Sequence, residues 1–451
     1  MEKPKVGFVA VTCPTHIAAT DETGTAWVEE KETRIAIQAL EKAGLELIKH
    51  DKVICSVEEA VQVADRFLGE DADCMMIFIQ TWNWAAQVMQ AALKFNRPII
   101  LWALPISHVW SIGGLAVTHG SFDEVGIPHK VAYGMPDEPD VMESIVRYAK
   151  AARVKNVLRK SHYGSIGGQG MGIHTGIIDA NQWLERFGIL VGFTDQYAIV
   201  VEAEKIPQEE VKNYYELLKK EYGEVPVFNQ VTERAIRVYL GLEKIIEREG
   251  YDFTGVKCTF ELSDNYCSAC LAQSRLSSRG FVTACLNDSN GALTAYIMRQ
   301  LTDEPLFTAD VNLVDKKRNL VKLIDDGAGS IHLAKDPKKV KLSFQPTLEC
   351  KASGVCTGLI CKPGRITLAR LARIQGRYVM HIAPGEAFEG KEEWLEECGY
   401  PMWPHAFLHL DGDLDEFVQN LRSEYIHMAY GDLTSDLVET CRVLGIEPIV
   451  T

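Results

Sequence analysis

Short apolar runs alternate with amphipathic stretches through residues 1–150, and this alternation limits the fold more tightly than any single motif. Strands separated by helix-length connections pair in parallel, with the helices packed on the sheet faces. The pattern predicts strands over 6–11, 45–49, 74–80 and 98–103 and helices over 32–43, 57–69 and 85–95, with Gly44 ending the first helix. Such a chain builds a doubly wound open sheet, whose ligands sit beyond the carboxyl ends of the strands. The loops 12–16 (Thr-Cys-Pro-Thr-His) and 81–84 (Thr-Trp-Asn-Trp) occupy such positions.

At 451 residues the chain is too long for one core and divides into about three domains. The expected division is an α/β domain over 1–160, a second α/β domain over 161–336, and a smaller β-rich, barrel-like domain over 337–451, whose closing strand–helix–strand can pack back on the second domain. The second domain opens, after a basic helix over 142–160, with a glycine-rich turn over 165–172, Ser-Ile-Gly-Gly-Gln-Gly-Met-Gly. Its glycines can aim backbone N–H groups at an anion or simply allow a tight turn, and the spacing fits neither dinucleotide nor P-loop motifs. Helices follow over 207–222 and 232–249, a strand over 255–262, a helix over 265–274 and a strand over 281–285. From 337 onward short alternating runs (340–344, 364–369, 378–382) with Gly and Pro between them indicate β structure, and the chain closes with a strand over 425–430, a helix over 435–444 and a strand over 447–450.

Charge and composition exclude several function classes. A formal charge of -15 opposes an electrostatic grip on nucleic acid. No apolar run approaches the roughly 20 residues that span a bilayer. The opening Met-Glu-Lys-Pro-Lys runs into the first strand without a signal peptide's apolar core, so the expectation is a cytoplasmic protein. Twelve cysteines in such a chain are expected to be reduced. Cys267 and Cys270 form a CxxC, with Cys350, Cys356 and Cys361 downstream, but no second pair completes a zinc pattern, and core thiols are the expectation.

Three segments carry a family resemblance. Residues 163–179, Tyr-Gly-Ser-Ile-Gly-Gly-Gln-Gly-Met-Gly-Ile-His-Thr-Gly-Ile-Ile-Asp, resemble the Met-Gly-Ile-containing segment of the L-fucose isomerases. So does 113–134, where Leu-Ala-Val-Thr-His-Gly (115–120) precedes Gly-Ile-Pro (126–128) and Tyr133-Gly134. The segment 287–294, Asn-Asp-Ser-Asn-Gly-Ala-Leu-Thr, continuing to Ala309-Asp310-Val311, is similar to that family's acidic metal-binding turn. The resemblance implies two α/β domains and a β-rich C-terminal domain, a sugar substrate, and a homo-oligomer, trimer or hexamer, with sites near subunit interfaces. It implies a divalent-metal-dependent aldose–ketose isomerase, Mn²⁺ being the expected ion. Moving a carbonyl between C1 and C2 removes a proton beside a carbonyl, and a metal on both oxygens stabilises the enediol.

Carried over residue by residue, the resemblance makes Asp288 a metal ligand and catalytic group. The family's Cys-Glu-x-Asp stands here as Cys285-Leu286-Asn287-Asp288, so Leu286 replaces the glutamate. The second carboxylate is assigned to Glu261, with Asp264 or a neutral Ser268 as alternatives. Glu424-Tyr425 stands where the family has Asn-His, and His427, two positions on, is either the surviving metal ligand or a buried strand residue. Asp325-Asp326-Gly327 replaces a His-Cys-Gly-like sequence. Tyr425 is a candidate general acid or an aromatic wall; His16, Trp82, His119, Met171, Glu424 and Asp325 are candidate substrate contacts, and Trp84 belongs to the same group.

Two explanations of these departures stay open. A replacement metal site recruits Asp325, Glu424 or His427, or the metal has been abandoned and sugar binding remains. Three functions follow: an isomerase of a free deoxy, pentose or modified sugar; an epimerase or carbon–carbon lyase on the same scaffold; or a non-catalytic sugar-binding protein.

Overall fold

The structure is a computed structural model and describes residues 2–12, 30–106, 109–346, 353–391, 393–397 and 399–451. It divides into two compact units, 1–157 with 438–444, and 158–437 with 445–451. Among the described residues no helix is long and apolar enough to cross a membrane.

The first unit holds a five-stranded sheet of order β2-β1-β3-β4-β5, formed by β1 (Lys5–Val11), β2 (Glu46–Lys49), β3 (Cys74–Ile79), β4 (Ile99–Ala103) and β5 (His129–Tyr133). Every pairing is parallel. The central strand β3 reads Cys-Met-Met-Ile-Phe-Ile and is buried throughout, as a parallel strand covered on both faces must be. The covering helices are α1 (Glu30–Lys42), α2 (Val57–Gly69), α3 (Ala86–Phe95), α4 (Ser111–Glu124) and α5 (Pro139–Leu158). Two apolar cores result, one on each sheet face. Strand order reverses at β1 and β3, where Thr12 and Thr81 share a hydroxyl–hydroxyl bond of 2.6 Å.

The second unit begins with a parallel sheet of order β7-β6-β8-β9, made of β6 (His162–Ile166), β7 (Leu190–Thr194), β8 (Phe253–Val256) and β9 (Val282–Cys285). Its helices are α6 (Ala180–Phe187), α7 (Gln196–Glu204), α8 (Gln208–Glu221), α9 (Gln230–Glu249), α10 (Glu261–Asn265), α11 (Cys270–Ser278) and α12 (Ser289–Arg299). An aromatic stack pins β6 and β8: Trp183 lies over Phe253 at 6.3 Å and Phe253 over Tyr296 at 4.2 Å, with Tyr163 beside them. Each such pair contributes about 0.5–1.5 kcal/mol beyond its buried area.

A closed barrel follows. The strands β10 (Leu306–Asp315), β11 (Leu320–Ile324), β14 (Gly364–Ile374), β15 (Arg377–Phe388), β16 (Pro404–Leu410) and β17 (Tyr425–Tyr430) pair antiparallel around a ring, closed by β15 on β16. Closure removes the exposed edges an open sheet would carry. The shorter β12 (Lys341–Phe344), β13 (Val355–Ile360) and β18 (Glu447–Val450) extend the same sheet. Two of the six barrel strands, β10 and β11, precede residue 337, so the barrel draws on chain from both sides of that point.

Candidate active site

Three loops leave the carboxyl ends of β6, β8 and β9. After β6, Gly167, Gly168 and Gly172 take positive φ, a conformation open to glycine without strain, and Met171 joins them at φ 39° with its side chain half exposed. After β9, Leu286 and Asn287 both stand in the left-handed region, at φ 51° and 53°. For a non-glycine residue that conformation costs about 1–3 kcal/mol and persists only where neighbours enforce it. Here the Tyr163 hydroxyl donates to Asn287 Oδ1 at 2.7 Å, and Asn287 Nδ2 donates to Ser165 Oγ at 2.8 Å and to the Gly168 carbonyl at 2.6 Å. The turn so held delivers Asp288 to the N-cap of α12, where its carboxylate accepts the Gly291 N–H at 3.0 Å.

Asp288 is also gripped from β14. Arg370 Nη2 donates to Oδ1 at 3.0 Å and Nη1 to Oδ2, a fork that engages both carboxylate oxygens. Both side chains are 2% exposed. His427, on β17 and fully buried, has Nδ1 3.1 Å from Thr308 Oγ1 and no partner for Nε2. A Cβ on Gly291 would meet Asp288 Oδ2, His427 Nε2 and Arg370 Nη1 within 2.8 Å, so this helix turn requires glycine. Burial first, and Arg370 second, hold His427 down at about 3, which makes it a neutral imidazole.

The expected metal trio of Asp288, Glu261 and His427 is therefore brought together only in part. Asp288 and His427 share a closed, buried group with Arg370, and both Asp288 oxygens are engaged there. Glu261 lies apart on α10, with its side chain 66% exposed and paired with Lys257 at 2.5 Å. The hydrogen bond from Lys257 holds its carboxyl below the usual range. These residues do not fit a shared cation.

A second acidic group is organised differently. The barrel register sets Asp310 of β10 opposite Tyr425 on one side and Ile324 on the other, and Asp325-Asp326 follows Ile324 directly. Glu424 precedes Tyr425, its carbonyl accepting the Val311 N–H at 3.0 Å. Directly opposed residues share a sheet face, so Asp310 and Tyr425 stand together, with Thr308 and His427 two positions on. Asp325 is 1% exposed; its Oδ2 accepts the Ala328 N–H at 2.6 Å and its Oδ1 has no partner. Burial, then Asp326, pushes Asp325 up to about 7. Asp326 is pushed up to about 6 by burial and then by Glu424, and Asp310 well above the carboxylate range by burial and then by Asp326 and Asp325. Partial burial and then Asp288 raise Glu424. Tyr425, 2% exposed, is likewise pushed up by burial and the neighbouring acids, so its phenol keeps its proton.

Leu286 and Tyr425, which stand where a carboxylate and a histidine are expected, pack on one another with Cys285 and Ile173. One apolar contact thus replaces two polar groups at once, beside the carboxylates. Asp310, Asp325 and Asp326 supply the oxygen donors that a hard divalent cation takes, with one buried unpaired oxygen among them, but their ligating atoms are not gathered within 4.8 Å of one another.

The remaining candidates are spread through the chain. Trp82 is partly buried and His119 partly exposed, both in the first unit, and Trp84 is 45% exposed. His16, like Cys350, lies outside the described residues. The described cysteines are free thiols, and burial pushes Cys267 and Cys270 up, away from thiolate chemistry. A cavity of about 420 Å³ in the first unit, lined in part by Arg97, Lys130 and Glu439, adjoins the amino ends of β4 and β5, opposite to the usual ligand side.

Sequence reasoning missed Arg370 and gave no role to Asp310 or Asp326. Arg370 was hard to single out: β14 carries three arginines, Arg365, Arg370 and Arg373, and only in the fold is Arg370 seen to be the buried one, a charge that needs a partner. Asp310 required the barrel register, which joins residues more than one hundred positions apart.

Sequence profiles place this combination of parallel α/β units and a closed barrel in a family. The profile of the L-fucose isomerase first N-terminal domain matches residues 4–160, and that of the L-fucose isomerase C-terminal domain matches 338–450. The chain belongs to the L-fucose isomerase family and is a sugar isomerase. Similar proteins include a sulfoquinovose isomerase of Priestia megaterium (strain ATCC 12872 / QMB1551), 21% identical over 89% of this chain and 90% of that protein. Another is the sulfoquinovose isomerase of Clostridium sp. (strain MSTE9), 21% identical over 99% of both chains. A third, from Alkalicoccus urumqiensis, is 21% identical over 81% of this chain and 83% of its own.

Proposed function

We propose that the protein interconverts an aldose and a ketose at the carboxylate group of Asp310, Asp325, Asp326, Glu424 and Tyr425. The observation that carries this reading is Asp325: buried, unpaired at Oδ1 and raised to about 7, it is poised to take and return a proton near neutral pH. The step needs a base for the proton on the carbon beside the carbonyl and a donor for the carbonyl oxygen. Asp325 takes the proton from C2 and returns it to C1, and protonated Tyr425 donates to the oxygen that becomes the enediol hydroxyl. Asp326, at about 6, accepts the proton of the second hydroxyl as the new carbonyl forms and passes it to the Tyr425 phenolate, so that all three groups end as they began. Leu286 and Ile173 exclude water from one side of the site.

Mn²⁺ is the ion the family reading expects, and a divalent cation drawn to these acids would supply Lewis-acid polarisation of the two sugar oxygens. The substrate on this reading is a free deoxy, pentose or modified sugar, and sulfoquinovose, named in the similar isomerases, is tested first. A homo-oligomer, trimer or hexamer, is part of the same reading, and sedimentation velocity measures it.

The test incubates the untagged protein with Mn²⁺ and with sulfoquinovose, L-fucose and the aldopentoses, and follows products by NMR. Ketose formation that is lost in Asp325→Asn supports the proposal. Epimer without ketose, or no turnover of any sugar with and without metal, ends it.

A further inference from the structure

The first unit contains a side-chain group that the isomerase reading does not use. His119 and Asp123 lie one turn apart on α4, so both project from the same helix face. The chain then turns and starts β5 at His129, which comes back against the end of that helix. Ligating atoms of these three side chains lie within 4.8 Å of one another, and no other trio of His, Cys, Asp or Glu meets that criterion among the described residues.

Proton positions here follow from the acceptors. His129 Nδ1 faces the Ile127 carbonyl at 2.8 Å, and a carbonyl only accepts, so Nδ1 carries the hydrogen and Nε2 presents its lone pair. That lone pair faces His119 Nδ1 at 2.7 Å. On its other side His119 presents Nε2 to the Asp123 carboxylate at 3.6 Å. His119 thus links His129 to Asp123 through its two ring nitrogens. Phe122 packs edge-on against His129, centroids 5.3 Å apart, and fixes the ring plane. A backbone carbonyl that sets the tautomer of a ligating histidine is the usual outer support of a metal site.

We infer that His119, Asp123 and His129 form a binding site for a first-row transition-metal dication of the zinc or nickel type, separate from the carboxylate group of the second unit. Two imidazoles and one carboxylate are a borderline donor set, matched to Zn²⁺, Ni²⁺ or Cu²⁺ rather than to Mn²⁺ or Mg²⁺. Two nitrogens on one tetrahedral zinc stand about 3.3 Å apart, from Zn–N bonds of about 2.0–2.1 Å. The rings therefore open by about 0.6 Å to admit the ion. His119, with its side chain 45% exposed, has the freedom to do so. The 63% exposure of Asp123 leaves water free to complete the coordination. The bound ion clips the end of α4 to the start of β5.

The test uses the full untagged chain, with Zn²⁺ titrated calorimetrically and Cu²⁺ followed by electron paramagnetic resonance. One zinc per chain should remain in Asp325→Asn, weaken at least tenfold in Asp123→Asn, and disappear in His119→Gln and His129→Gln. The Cu²⁺ spectrum should show nitrogen splitting from two imidazoles that both histidine variants reduce. Should His129→Gln fail to fold, the surface variants His119→Gln and Asp123→Asn carry the test. Zinc affinity and nitrogen splitting unchanged in those two variants, or no zinc bound by the wild type, overturns the inference.

Discussion

Two acidic groups of the second unit use the same carboxylate chemistry in opposite ways. Asp288 caps a helix, accepts a backbone N–H and faces the fork of Arg370, so its charge is matched inside the fold. Asp310, Asp325 and Asp326 are raised first by burial and then by one another and Glu424, and no arginine or lysine is prominent among the groups that shift them. A matched buried charge holds structure, whereas an unmatched one waits for a proton, a cation or a substrate. On the proposed reading, the residue that most resembles a catalytic ligand in sequence is structural, and chemistry falls to acids a short distance along the barrel.

The contrast can be broken most forcefully at the matched pair. Asp288→Ala leaves Arg370 charged and buried without a partner and should cost about 3–5 kcal/mol in denaturant unfolding. Replacing both, as Asp288→Asn with Arg370→Met, should restore much of that stability; an uncorrected loss would mean the pair is not the source. Leu286→Ala removes the wall that packs on Tyr425 and should cost about 2–3 kcal/mol, measured the same way.

The unmatched group leaves a mark in pH dependence. Asp325 sits at about 7 in the folded protein against 3.8 as its ordinary value, so between those limits the folded state holds more protons than the unfolded one. Its contribution to stability is present below about 4 and is lost as pH rises through about 7. Asn at 325 has no charge to bury, so Asp325→Asn should melt with the wild type at pH 4 and above it at pH 8. His427 works in the opposite sense: neutral in the fold down to about 3, it withdraws stability as pH falls below 6.5, which His427→Gln should remove. At the small end, Glu261→Gln breaks only an exposed pair with Lys257 and should shift stability by less than about 1 kcal/mol. Its turnover should stay near wild type.

How much of this was legible before the fold was known follows from the range of the signals. The parallel strands of the first unit announced themselves as continuous apolar runs bounded by helices, and β1, β3 and β4 fall where periodicity puts them. β5 was missed because His-Lys-Val-Ala-Tyr is only half apolar, and α4 because its glycines blur the helical period. β10 and β11 were missed because charged and polar residues interrupt them, and a barrel strand is stabilised by partners that sequence order does not reveal. The acids were visible as acids. Which of them would be neutralised depended on Arg370, 82 positions from Asp288, and on a register joining Asp310 to Tyr425.

The most direct test of the account is turnover by Asp325→Asn in a protein shown to be folded by its melting curve at pH 8. The account predicts a fall in kcat of about 10²–10⁴, the range of a lost general acid–base group, together with a melting temperature at or above that of the wild type. Turnover within about threefold of wild type would contradict it, by placing the chemistry outside the unmatched carboxylates.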